Sequence, residues 1–368
     1  MPWLDWLKPR AGSEQQTTDP GEGVGREDGT PPLGPGAPYD PRSGRFYNPP
    51  GSPRRPQDTR AWTQFYKRRT RDRVVPTLPP GYVLTEEQTL AGLRAHEGRD
   101  SITWIGHACF LLRLGGVTVL LDPYLSATAG PRNGLGPKRF APPALGPASL
   151  PRIDVLAVSH NHYDHLDLPV IRALPGKQRM AVVTPLGLGK YFTHRGYRDV
   201  RELDWGRSTS VMHAGRDGVR VSALPAVHFS KRSPFDTNRT LWAGFAIEGA
   251  GRRVYFAGDT AYGPVFAEWG ERAGPFDLGL VGIGAYAPRE LMIASHTSPE
   301  EAVKLGRDLG CRALVGMHWG TIKLTDEPPF EPPGLFRAAG RAAGYAEDDL
   351  WIMKVGETRE IPRRRGAN

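Results

Sequence analysis

Within six positions the chain places His160, His162, Asp164 and His165, in the run Ser159-His160-Asn161-His162-Tyr163-Asp164-His165. Imidazole nitrogens and carboxylate oxygens hold zinc and related divalent ions, with the nitrogens about 2 Å from the metal. The spacing divides the group. His160 and His162 can point to one side, while Asp164 and His165 serve a second point close by. One segment therefore offers half-shells for two metals. Residues 153–158 precede it as an apolar run that reads as a buried strand, and a strand end is a rigid platform for a site.

Further donors stand in the same context. The apolar run 219–224 leads into His228, the run 253–257 into Gly258 and Asp259, and the run 313–317 into His318. Glycine at 258 and 320 lets the backbone turn closely around a site. Charge and geometry then suggest an assignment. Metal one takes His160, His162 and His228; metal two takes Asp164, His165 and His318; Asp259 bridges them. Asp164 and Asp259 are the carboxylates expected to act in catalysis. His228 or His318 alone would read as an ordinary histidine. Close-packed histidines beside a buried strand, however, need a compensating partner, and the full set makes that partner a metal pair.

The remaining histidines are weaker candidates. His194 and His213 read as surface residues, and His107 as packing beside the centre. His296 stands just before Ser298-Pro299-Glu300-Glu301, a capped helix start whose N-terminus favours anions, and is a candidate substrate contact. Lys138, Arg139, Lys231 and Arg232 fall in loops where they can steer an anionic head group. Tyr163 lies inside the metal run and joins Lys138, Arg139 and His296 as a candidate substrate contact.

The positioning elements are legible in outline. Strand-like runs cover 102–105, 108–114, 117–121, 155–158, 181–184, 219–224, 241–247, 253–257, 278–283 and 313–316. Helices are expected from 299 to about 309 and over 335–343. Strands with helices between and after them predict a layered α/β protein. Residues 1–43, rich in Gly and Pro, read as a disordered segment, 44–100 as a basic arm packing on or leading into the domain, and 101–368 as the hydrolase domain. Ordered structure is expected to begin near residues 74–82.

Composition narrows the class. The chain has 368 residues, a formal charge of +9 and two cysteines. Cys109 and Cys311 sit in apolar runs and read as reduced core residues. No stretch looks like a secretory signal or a membrane span, so the expected location is the cytoplasm or the periphery of a membrane. Ten Arg and Lys lie between Arg42 and Arg73 against two Asp. With Trp62, Phe65 and Tyr66 among them, this arm can sit on an anionic phospholipid surface or nucleic acid, or be a solvated wrapping segment.

The His-x-His-x-Asp-His run, followed by His228, Asp259 and His318 in that order, resembles the metallo-β-lactamase superfamily. Other blocks resemble, more narrowly, the N-acylphosphatidylethanolamine-hydrolysing phospholipase D family. They are Thr103-Trp104-Ile105-Gly106-His107-Ala108, Leu121-Asp122-Pro123, Gly136-Pro137-Lys138-Arg139-Phe140, Glu202-Leu203-Asp204-Trp205 and Phe256-Ala257-Gly258-Asp259-Thr260. Gly274-Pro275-Phe276-Asp277-Leu278, Ile283-Gly284-Ala285-Tyr286-Ala287-Pro288-Arg289 and His318-Trp319-Gly320-Thr321 complete the set. The resemblance is sparse before Ser101. Ala261 follows Thr260 where the family pattern suggests glycine.

The resemblance implies an αβ/βα sandwich with two central mixed β-sheets and the metals in a cleft at one sheet edge. It implies two zinc ions, with manganese or iron as alternatives, and a phospholipid phosphodiester as substrate. Hydrolysis would then give N-acylethanolamine and phosphatidic acid. Peripheral membrane association and a homodimer follow by the same likeness, and no nucleic-acid partner is expected. Two other readings stay open, because fold does not fix function. One is another hydrolase on this scaffold, a sugar-phosphate lactonase or a nuclease; the other is a non-catalytic lipid-binding metalloprotein.

Overall fold

A computed structural model describes residues 31–71, 75–131, 135–213 and 216–362. Residues 1–30 of the segment expected to be disordered lie outside the described residues. Order begins well before the expected 74–82. A short hairpin, β1 (Tyr39–Asp40) and β2 (Arg45–Phe46), is followed by helix α1 (Thr59–Arg71) and helix α2 (Glu86–Ala95). The sequence hides α1 because its apolar stripe is short and set among many basic residues; among its described side chains Phe65 alone is fully buried, against Leu291 and Met292. The capping box of α2, Thr85 with Gln88, fixes its start.

From Ser101 the chain builds two seven-stranded sheets. The strands of the first half are β3 (Ser101–Gly106), β4 (Cys109–Leu114), β5 (Val117–Leu121), β6 (Val155–Ala157), β7 (Ala181–Pro185) and β8 (Asp199–Leu203). Helices α3 (Leu168–Ala173) and α4 (Lys190–Thr193) lie between them. The second half runs β9 (Ser208–His213), β10 (Arg216–Leu224), β11 (Gly244–Gly249), β12 (Arg252–Phe256), α5 (Val265–Ala273) and β13 (Phe276–Gly282). It continues with α6 (Arg289–Met292), α7 (Pro299–Asp308), β14 (Cys311–Met317), α8 (Pro332–Ala342), β15 (Leu350–Trp351) and β16 (Thr358–Glu360).

In order the sheets are β16-β3-β4-β5-β6-β7-β8 and β15-β14-β13-β12-β11-β10-β9. Each is mixed: the meander part is antiparallel, and the strands from β5 to β8 and from β12 to β15 pair in parallel. Alternation along β4 separates the layers. Phe110, Leu112 and Leu114 join a core shared with the second sheet, while Cys109 and Leu111 join one shared with α3 and α4. Both cysteines are free and buried. Helices therefore cover the outer faces, as the layered α/β expectation and the sandwich resemblance required.

Boundaries moved in places. The run expected over 241–247 pairs from Gly244 onward, because Leu241, Trp242 and Ala243 turn into the site loop. α8 starts three residues early, with Pro332 in its first turn. Strands β8, β9, β15 and β16 went unread: β8 and β9 are polar, and β15 and β16 are only two and three residues long. Among the described residues no helix is long and apolar enough to cross a membrane.

Candidate metal centre

Strand direction puts every candidate donor at one rim. In the first sheet β3, β5 and β6 run the same way, as do β10, β12, β13 and β14 in the second. Their C-terminal loops carry His107, Asp122, the 160–165 run, His228, Asp259, His296 and His318. The local backbone is unusual: His107, Asp122, Gly258 and His318 all have positive φ, between 37° and 63°. Side chains at such strained positions are held by surrounding structure, and they cluster at sites.

The donors form two groups that meet at Asp259. In the first, His160 Nε2 and His228 Nε2 lie 2.9 and 3.1 Å from His162 Nδ1. Asp259 Oδ2 is 3.8 Å from His160 Nε2 and 3.7 Å from His228 Nε2. In the second, Asp164 Oδ2 lies 3.7 Å from His165 Nε2 and 3.5 Å from His318 Nε2. Asp259 reaches this group too, at 3.1 Å from His165 and 3.2 Å from His318. Ligand atoms about 2 Å from a tetrahedral ion stand roughly 3.3 Å apart, which these spacings bracket.

Tautomers sharpen the fit. His165 donates Nδ1–H to Asp122 Oδ2 at 2.6 Å, and His228 donates Nδ1–H to the Ser295 carbonyl at 2.8 Å. Ser159 donates its hydroxyl to Asp122 and accepts from His160 Nδ1 at 2.9 Å. In the neutral rings of His160 and His228, Nε2 is then a bare lone pair aimed into the centre. Bare lone pairs that face each other in a buried space repel unless a cation lies between them. His165 Nε2 and His318 Nε2 form no well-directed hydrogen bond and face the Asp259 carboxylate at 3.1 and 3.2 Å, a donor set that a cation between them would satisfy. The residues present suit a pair of divalent metals.

The electrostatics agree. Burial, reinforced by neighbouring imidazoles, drives His160 well below the usual histidine range; burial does the same to His228, against the pull of Asp259. His162 is held down at about 4 by burial. Burial would also lower His318, yet Asp259 and Asp164 beside it push it up to about 9, and His165 is raised in the same way. Against their own burial, Asp164 and Asp259 are kept well below the carboxylate range by these histidines. Without metal the site thus keeps its charge as two imidazoliums and two carboxylates.

The other expected contacts divide. His296 faces the centre, its Nδ1 3.9 Å from Asp259 and its ring 5.3 Å from those of His228 and His318. Burial lowers it to about 4, so it is neutral at pH 7. The α7 N-terminus beside it is already capped by Ser298 and Glu301, which leaves His296 as the group that presents itself to a ligand. Tyr163 donates its hydroxyl to the Arg232 carbonyl at 2.7 Å, and the Arg232 guanidinium stacks on its ring. Arg139 is turned inward, donating to the carbonyls of Tyr124, Ser126 and Ala141, so a head group would have to displace those bonds. Lys138 and Lys231 are exposed. His194 is exposed, whereas the side chain of His213 lies outside the described ones.

Three residues escaped the sequence reading. Asp122 and Ser159 hold the ligand rings; an Asp at a strand tip before proline was the available signal. Asn48, far upstream, accepts from the His228 backbone N–H at 2.9 Å and from Trp242 Nε1 at 3.1 Å, and nothing in its sequence context announced this. His107 packs against His318 and, through Nε2, meets Asp164 Oδ2 at 3.0 Å, while Nδ1 meets Thr321.

Comparison with known proteins identifies the family to which this fold belongs. Residues 117–319 match a family described as a beta-lactamase superfamily domain. The N-acyl-phosphatidylethanolamine-hydrolyzing phospholipase D 1 of Caenorhabditis elegans is 39% identical over 271 residues, covering 71% of this chain and 76% of that protein. An uncharacterised protein of Mycobacterium tuberculosis is 41% identical over 244 residues, 65% of this chain; the match spans 63% of that relative's length. Among solved structures, a possible metal-dependent hydrolase from Veillonella parvula superposes with a TM-score of 0.56 at 18% identity, over 72% of this chain and all of the other, a likeness of fold alone. The chain belongs to the metallo-β-lactamase superfamily.

Proposed function

We propose that the protein is a dinuclear zinc phosphodiesterase of phospholipase D type, acting on N-acylphosphatidylethanolamine. The observation that carries this reading is Asp259, whose carboxylate lies within 3.8 Å of imidazole nitrogens in both donor groups. His160, His162 and His228 would hold one ion, and Asp164, His165 and His318 the other. A bound divalent pair supplies Lewis acidity and lowers the pKa of water towards about 7. The likeness to the nematode phospholipase D supports the choice of phospholipid among hydrolysable substrates.

The chain's own groups have definite tasks. Asp164, ionised and steadied by His107, orients water and can accept its proton. Asp259 keeps both halves in register. His296 offers a neutral imidazole to the phosphoryl group. Hydrolysis breaks the bond between phosphorus and the ethanolamine oxygen. The oxygen of water enters phosphatidic acid, and the N-acylethanolamine oxygen leaves and takes up a proton. Such a substrate implies work at a membrane periphery, to which the basic arm is suited. A homodimer is part of the same reading; nucleic acid is not.

The test is product identification with zinc-loaded protein on N-acylphosphatidylethanolamine, phosphatidylcholine, bis(p-nitrophenyl) phosphate and a lactone panel. N-acylethanolamine release supports the proposal. Lactone opening without phosphodiester cleavage would assign a different hydrolase reaction to the same centre.

A further inference from the structure

The arm preceding the family domain reaches the metal centre. Asp58 caps the first turn of α1 by accepting from the backbone N–H groups of Arg60 and Ala61 at 2.9 Å. Phe65 is buried against Leu291 and Met292, a few residues before His296, and Arg68 pairs with Asp326 at 2.8 Å. The helix is thus clamped along the lip of the cleft. Trp62 is fixed by its Nε1–H, which donates to the Pro56 carbonyl at 3.1 Å.

This clamp sets Arg55 in a particular posture. Its guanidinium lies 4.9 Å from the Trp62 ring and 4.7 Å from the Phe229 ring. Phe229 in turn sits edge-on to His162 at 4.6 Å and tilted against His228 at 4.9 Å. Arg55 therefore stands one aromatic ring away from the centre. It is exposed, and no carboxylate or carbonyl among the described residues takes its N–H groups. Two rings flank the guanidinium, and its N–H fork has no partner among the described residues. That fork matches two oxygens of a phosphoryl group, which a lysine cannot grip in the same way. Arg232 and Arg139 have donors tied to carbonyls, whereas the exposed Arg55 guanidinium is open to a ligand.

We propose that Arg55 is a specificity residue that grips the phosphoryl oxygens of an anionic substrate at the mouth of the metal cleft. The arm outside the matched domain then completes the substrate site. The inference rests on the phosphodiesterase reading for its substrate, but its test can be read separately.

The experiment compares the zinc-loaded full chain with Arg55→Gln and Arg55→Lys, after unchanged melting temperatures establish folding. Calorimetry with dimethyl phosphate should show affinity weakened about tenfold or more in Arg55→Gln and partly restored in Arg55→Lys. KM for bis(p-nitrophenyl) phosphate should rise by a similar factor, with kcat within about twofold of the parent. Unchanged affinity and KM, or no dimethyl phosphate binding by the parent protein, would overturn the proposal. So would a loss of binding to anionic phospholipid vesicles with unaltered response to the soluble diester, since Arg55 would then serve the bilayer and not the substrate. Weaker dimethyl phosphate binding in the variant, with no phosphodiester turnover by the parent, would sustain Arg55 and remove the phosphodiesterase reading.

Discussion

Asp122 accepts the Nδ1–H of His165 at 2.6 Å, and the same carboxylate takes the hydroxyl and backbone N–H of Ser159. Ser159 in turn fixes His160. One fully buried carboxylate, at the tip of β5, thereby aligns a ring in each donor group. This gives the two halves of the centre a common support on the first sheet.

Replacing Asp122 with Asn keeps the shape but puts an amide where an acceptor is needed. Metal affinity should fall about 10- to 100-fold, the usual effect of losing a partner behind a ligand. Competition against a chelator of known affinity measures it. Parent-like retention of both metals would show that the rings need no such alignment.

Gly258 precedes the bridging Asp259 with φ of +56°, and a Cβ there would stand 2.7 Å from that of Ser159. Gly258→Ala should cost about 1–2 kcal/mol from the left-handed backbone alone, and more from the clash. Denaturant unfolding of the metal-free variant reads the cost directly. An unchanged midpoint would mean that the loop can move without penalty.

The ionised site without metal predicts a definite pH dependence. His162 is lowered to about 4 and His107 to about 3, both chiefly by burial. Unfolded, they titrate near 6.5. The unfolded chain thus binds more protons as pH falls below about 6.5, and stability drops towards pH 4. His318 acts in the opposite sense. Raised to about 9, its contribution is complete below pH 6.5 and is lost as pH climbs through 9. The melting temperature of metal-free protein should therefore peak near pH 6.5. A steady rise from pH 6.5 to 9 would contradict the charges assigned to His318 and His165.

The seven candidate donors could be picked out before any fold, because each is a His or Asp placed just past an apolar strand. That pattern depends on the local alternation and turn chemistry that sequence displays well. What supports the donors was less visible. Asp122 looks like any strand-end carboxylate, and its partners lie 37 and 43 positions away. Asn48 meets His228 across 180 positions, a contact that only the closed fold creates. The anchoring of the arm was hidden for a related reason, although the arm was expected to pack on or lead into the domain. Its charge suggested a solvated segment, whereas Phe65, Trp62 and Asn48 tie it to the cleft. Loop cations were the converse case: Arg139 reads as a surface charge but folds inward onto three carbonyls.

Titration of zinc into metal-free protein, followed by hydrolysis of bis(p-nitrophenyl) phosphate, tests the central claim most directly. Turnover should be absent without metal and reach its plateau at two equivalents. Asp259→Asn should flatten the curve while the chain stays folded. Full activity at one equivalent, or turnover that ignores metal altogether, would contradict a paired-metal phosphodiesterase.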